Sequence, residues 1–246
     1  SLTSDAVYSR SSTLPLGDGR PVLVVPRQPV VFETRAWVAG TGASPLDTYT
    51  GNARYAWRDL LVDPVHGSRG FRERWMLEEG SNTIEHVVFF QGRGAEDASG
   101  SMADDSREFG LVRCRERVAI DPAKNPPVST PGMKESPRSQ WLRSVMDKVR
   151  AETRPSGAPS DALCTLGEPS PNRPSAFALL SASRQHLGDT VPANPRLRAV
   201  NRSDSKRWNW DGGVRTLLAT TTTATTTDDV GNTLRLVEST VDPKHG

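Results

Sequence analysis

The sequence predicts an α+β protein: a mainly antiparallel sheet, two amphipathic helices and a C-terminal β-hairpin, joined by Pro-rich connectors. Three observations carry that expectation. In Phe71–Gln91 (FRERWMLEEGSNTIEHVVFFQ) two alternating runs flank a Gly-Ser-Asn turn. Trp141, Val145 and Val149 recur at the spacing of one helix face, with Leu142 and Met146 beside them. Val214–Thr227 and Thr233–Val241 are β-branched runs separated by the turn-forming Asp228–Asn232.

In chain order, residues 1–21 are polar and rich in Ser, Gly and Pro, and read as a flexible N-terminal arm. A β-rich region over 22–120 follows. Val22–Val25 before Pro26 reads as a short edge strand, because Pro cannot donate to a ladder. Val30–Ala39 is a better strand, and Arg54–Val62 is open between a strand and one or two helical turns. In the central hairpin, Phe71, Trp75 and Leu77 share one face and Arg72 and Arg74 the other. Gly80 and Asn82 tolerate the positive φ of a tight turn. Gly92–Ser106 has no apolar period and reads as a mobile loop. Phe109–Ile120 (FGLVRCRERVAI) is a strand with Arg113, Arg115 and Arg117 on one face and Cys114 on the core face.

Residues 121–193 read as Pro-rich connectors with two helices. The first starts at Ser136 or Pro137 and runs to about Glu152. The second is expected over Ser175–Leu187, with Pro174 before it, Gly188 as a stop, and Phe177, Leu180 and Leu187 as its buried side. Between them, 153–175 is rich in Pro, Ala and Ser and is expected to be a mobile connector. Residues 194–246 are read as a basic irregular stretch, Asn194–Trp210, followed by the C-terminal hairpin.

Net charge is only +2, too small by itself to imply a polyanion partner. The 31 basic residues are 26 Arg and 5 Lys. GC-rich coding gives such an excess, and so does phosphate recognition, for which the planar guanidinium is suited. Two cysteines, Cys114 and Cys164, cannot build a disulfide framework and read as reduced thiols of an intracellular, cytoplasmic protein. No long apolar run or charged-then-apolar leader is present, so neither a membrane span nor a signal peptide is expected.

No phosphate-binding Gly-rich loop, dinucleotide fingerprint or nucleophile elbow occurs. The four histidines, His66, His86, His186 and His245, lack metal-ligand spacing. No catalytic residue, cofactor or metal is therefore expected. His66 and His86 are the least implausible members of an unseen active site. What does recur is arginine on one strand face or beside aromatics. Arg72, Arg74, Arg113, Arg115 and Arg117 would form a phosphate-binding ridge if their strands present them on the same side. Glu73 and Glu116 interrupt the pattern, and cross-strand Arg–Glu pairing explains the same residues structurally. Arg196, Arg198, Arg202, Lys206 and Arg207 lead into Trp208 and Trp210, a segment in which cations could track a backbone while an indole stacks on a base. Anchoring of both tryptophans on the core is the competing reading.

The Pro/Ala/Ser-rich TRPSGAPSDALCTLGEPSPNRPS at 153–175, the Arg-dominated charge and the lack of a catalytic signature together resemble the proline-alanine-serine-rich proteins of polymycoviruses. The resemblance implies a viral protein that coats a double-stranded RNA genome and self-associates. The expectation is thus a non-enzymatic RNA-associated ribonucleoprotein component, virion-associated and oligomeric. The alternatives are a structural subunit of a large assembly, such as a virion shell or organellar ribosome, and an enzyme whose site residues converge only in space.

Overall fold

Alternating runs closed by short turns dictate a sheet in which each strand folds back on the one before it. The computed structural model describes residues 13–15, 21–23, 31, 33–38, 48–63, 67–78, 81–90, 110–121, 137–151, 166, 177–191, 194–211 and 214–243. Within them, β1 (Thr13–Pro15) and β2 (Pro21–Leu23) pair antiparallel as a separate small sheet. The main strands are β3 (Glu33–Val38), β4 (Thr48–Asp63), β5 (Gly67–Glu78), β6 (Thr83–Phe89), β7 (Val112–Ile120), β8 (Phe177–Val191), β9 (Asn194–Asp211), β10 (Val214–Thr227) and β11 (Thr233–Val241). One helix, α1 (Pro137–Ala151), lies between β7 and β8 in the chain. The nine strands form one sheet in sequence order from β3 to β11, every neighbouring pair antiparallel.

The β5–β6 hairpin turns where expected. Asn82 adopts φ 49°, and Ser81 Oγ bonds the Glu78 carbonyl at 3.2 Å. The β10–β11 hairpin closes on Asp228, whose Oδ1 accepts from the Val230 and Asn232 amides at 3.0 and 2.7 Å. Its Oδ2 accepts from Asn232 Nδ2 at 2.9 Å. That side-chain bond, ahead of the backbone ones, holds the Asp228 carboxyl below the ordinary carboxylate value. Gly231 supplies φ 97° there, a conformation that would strain a residue with a Cβ.

Directly opposed residues in an antiparallel pair share a face, so the registers sort the sheet into two sides. One side carries the core. Trp75, Leu77, Ile84, Val118, Ile120, Phe177 and Leu179 pack against Trp141, Leu142, Val145, Met146 and Val149 of α1. The helix residues recur at i, i+4 and i+8 with a second row beside them, the stripe expected of a helix lying on a sheet. Two buried arginines of β4 hold its ends. Arg54 Nη2 donates to Ser139 Oγ at 2.8 Å, and Arg58 Nη2 donates to the Val149 carbonyl. Four strand residues span about 13 Å and ten helical residues about 15 Å, so α1 runs along β4 in the same direction. A guanidinium at the helix C-terminus also meets the negative end of the macrodipole.

Polar residues are buried on this core side as well. Glu73, His86 and Glu116 are almost inaccessible. His86 Nε2 lies 2.9 Å from Glu73 Oε2, and Nδ1 lies 3.6 Å from Glu116 Oε2. The imidazole stacks on Trp75, with ring centroids 3.8 Å apart and planes 10° apart.

Several sequence expectations require correction. The chain is mainly β with a single helix, so the α+β class with two helices gives way to one antiparallel sheet of nine strands. The segment expected as a second helix is β8. Phe177 and Leu179 face the core, and the register then shifts between Arg117 and Val118 of β7, so Ala182 is the next residue inward. A bulge of this kind moves a strand's inward set by one position and leaves a spacing that imitates a helix. Asn194–Trp210, expected to be irregular, lies within β9. Arg54–Val62, whose sequence fits a strand or helical turns, lies within β4. The N-terminal arm contains β1, and β2 overlaps the expected Val22–Val25 strand. Cys114 is buried on the core side as expected, but it is disulfide-bonded, which overturns the reading of two reduced thiols. The chain's only other cysteine, Cys164, lies outside the described residues. The cytoplasmic expectation loses its thiol argument, since structural disulfides persist in oxidising surroundings. Among the described residues no helix is long and apolar enough to cross a membrane. The loop at 92–106, and the connector at 153–175 apart from Leu166, also lie outside the described residues.

Candidate nucleic-acid interface

The side of the sheet opposite α1 collects most of the expected arginines. In register across it run Trp57, Arg74, Val87, Arg115, Ser183, Ser205, Thr221 and Thr240. The adjacent row runs Tyr55, Met76, Glu85, Arg117, Ser181 and Arg207. Arginines of β5 and β7 therefore do share a side, but they are not adjacent. Strand β6 lies between them and inserts Glu85.

That carboxylate takes up two of the cations. Arg74 Nη2 lies 3.0 Å from Glu85 Oε2, and Arg115 Nε lies 3.1 Å from Oε1. Val87, in register between the two arginines, is buried. The other members of the expected ridge differ in setting. Arg113 is buried, with its guanidinium carbon 5.2 Å from the Phe90 ring centroid. Arg72 is half-buried and engaged in its own interaction. Arg115, with a side chain 54% exposed even while paired, and Arg117 face solvent. Arg117 Nε donates to Thr83 Oγ1 at 3.2 Å.

Sequence reasoning placed Arg207 in a separate basic loop, whereas the registers bring it into line with Arg117 through Ser181. Both arginines are exposed, and two strand spacings put their Cα atoms about 10 Å apart. The Ser181, Ser183 and Ser205 hydroxyls lie between and beside them, half-buried. Glu85 is the only carboxylate in these two rows. The arrangement offers guanidinium and hydroxyl donors to a polyanion, and such groups make most backbone contacts to nucleic acid.

The remaining basic candidates divide between the two sides. Arg202, Lys206 and Trp208 alternate with Arg207 along β9 and face the α1 side. Trp208 packs against the core margin, with Arg215 over its ring at 5.1 Å. Trp210 is half-buried and opposite Arg215. Arg196 and Arg198 lie on β9, Arg198 opposite Thr190.

Asp204 organises the same side. It accepts from Thr222 Oγ1 at 2.9 Å, from Arg202 Nε at 3.0 Å and, at 2.9 Å, meets His186 Nε2. Arg184 is directly opposite it. Burial pushes the Asp204 carboxyl up, but the bonds from Thr222, Arg202 and His186 and the Arg202 charge outweigh that, leaving it below the ordinary carboxylate value. Of the two histidines entertained as catalytic, His86 is enclosed as described above, and His66 lies outside the described residues. Among the described residues no group of three or more His, Cys, Asp or Glu side chains is placed to hold a metal ion. No family model, no curated protein and no solved structure matches the chain.

Proposed function

We propose that this chain is a non-enzymatic RNA-associated protein that takes the phosphate backbone on the side of the sheet opposite α1, across β7, β8 and β9. The observation that carries this reading is the row Arg117–Ser181–Arg207 with exposed Arg115 beside it. Strand pairing fixes the spacing of these donors, so little ordering entropy is spent when a polyanion binds. Contact with phosphate through arginine and serine carries no base preference, so binding is sequence-tolerant and strongly salt-dependent. The compositional resemblance to genome-coating proteins of double-stranded RNA viruses supports the same reading. Coating would require tolerance of any sequence.

The test is the joint replacement Arg115→Gln, Arg117→Gln and Arg207→Gln, all at exposed positions. Gel-shift titrations with mixed-sequence single- and double-stranded RNA are run at several salt concentrations. Each phosphate contact removed should flatten the log–log salt slope by about 0.7–0.9, with a matching loss of affinity. A folded triple variant with unchanged affinity and slope would rule this surface out.

A further inference from the structure

We propose that the outer edge of β11 is a seam at which a second copy of this chain pairs its own β11, antiparallel, across a two-fold axis perpendicular to the sheet. Strand β11 ends the nine-stranded sheet, and among the described residues it pairs only with β10. All nine of its residues are exposed. Leu234 and Leu236 are 68% and 61% accessible, and Val237 and Val241 are exposed as well. Protected edges are short, bulged, or guarded by Pro or Lys. This one is nine residues long and contains neither Pro nor Lys, and its one irregularity falls near its start, at Leu234, leaving Arg235–Val241 regular.

The strand's own charges argue for a second copy as the occupant. TLRLVESTV carries one Arg and one Glu, so like copies meet with no net repulsion. A two-fold axis perpendicular to the sheet keeps faces matched and allows only registers centred on a residue. Centring on Arg235 or Glu238 would oppose like charges directly, which is destabilising. Centring on Val237 opposes, within the regular run beyond Leu234, Val237 to itself, Arg235 to Ser239 and Leu236 to Glu238. No like charges face each other, and β-branched residues meet at the centre. The same axis leaves the arginine-bearing sides of both copies facing one way. The pairing does not depend on RNA binding.

The full-length chain tests this without RNA. Sedimentation over a concentration series should show a monomer–dimer equilibrium, and joint Leu236→Lys and Val237→Lys replacement should leave a monomer with unchanged circular dichroism. Opposed Cα atoms about 4.5–5.5 Å apart are within disulfide reach. Val237→Cys should therefore form a covalent dimer under mild oxidation at least tenfold faster than Val230→Cys, at an exposed turn residue off the seam. A single-chain mass for the unmodified protein at every concentration overturns the proposal. So does equal crosslinking at the two positions, or a Lys variant that remains dimeric. Dimerisation that survives failure of the RNA titrations leaves this seam standing and removes only the phosphate reading.

Discussion

Glu85→Gln should tighten RNA binding, an uncommon direction for a substitution in a binding surface. In the folded chain one carboxylate occupies donors of two arginines, Arg74 at 3.0 Å and Arg115 at 3.1 Å. Glutamine has nearly the same shape but no charge, and one of its two terminal atoms donates where an oxygen accepted. At least one guanidinium must release, and both lose their electrostatic tether. If both then reach phosphates on a single strand, the salt slope steepens by up to about 1.4. Between 200 and 50 mM salt, the advantage of the variant should then grow by about sevenfold. The stability cost is small, below about 1 kcal/mol, because the pairs are partly solvated and Arg115 is more than half exposed. Fluorescence-anisotropy titration of labelled single-stranded RNA at several salt concentrations reads the affinity, and urea denaturation of the same samples reads stability. Unchanged or weaker binding by a variant of normal stability would refute the view that Glu85 competes with phosphate for these arginines.

Two further predictions concern stability. The folded Asp204 carboxyl titrates below its unfolded value, so the unfolded chain binds more protons in between and stability rises with pH there. Its contribution is complete above about pH 4, the unfolded value, and is lost as pH falls through the lower folded value. Asp204→Asn removes that contribution, so the gap in urea midpoint between the two proteins should narrow as pH is lowered from about 5 to 2; a constant gap contradicts the assignment. The Cys114 disulfide is expected to contribute about 2–4 kcal/mol. A reductant should lower the melting temperature, with two thiols becoming titratable, and identical melts with and without reductant would contradict it.

Local alternation was readable in several strands in which one face met the core and the other met solvent. Trp75 and Leu77 opposite Arg72 and Arg74 gave away β5, and the Asp228 turn between Thr-rich runs gave away β10 and β11. Helix α1 was equally plain, because its apolar residues fall on one stripe. Strand β8 was hidden by its bulge, which spaces Leu179 and Ala182 as a helix would. Strand β9 was hidden because Arg202, Asp204 and Lys206 occupy the side that carries apolar residues elsewhere. Neither side of it is apolar there, so no hydrophobic period exists to be read.

The site was half legible for a related reason. Period two assigns each arginine to a side of its own strand, but it says nothing about which strand lies alongside. Arg207 joins Arg117 only through the pairing of β7, β8 and β9, and Glu85 comes between Arg74 and Arg115 only because β6 lies between β5 and β7. The disulfide at Cys114 left no sequence trace, since two cysteines far apart in a chain have no diagnostic spacing.

Neighbour-only pairing of the strands has a kinetic meaning. Along the sheet, each strand can zip onto its predecessor without waiting for a distant partner, so most of the sheet forms with little loop-closure cost. The exceptions are the join of β6 to β7, across residues 90–111, and that of β7 to β8, where α1 intervenes in the chain and must dock for the core to close. The order of strands thus makes that docking step the natural bottleneck, with the hairpins on either side forming as semi-independent units. The same linearity lets the sheet come apart unevenly. The β10–β11 ribbon, whose outer strand is exposed at every residue, can peel and reseal while the α1-covered centre stays folded, in the manner of a cooperative unit with its own lower opening energy.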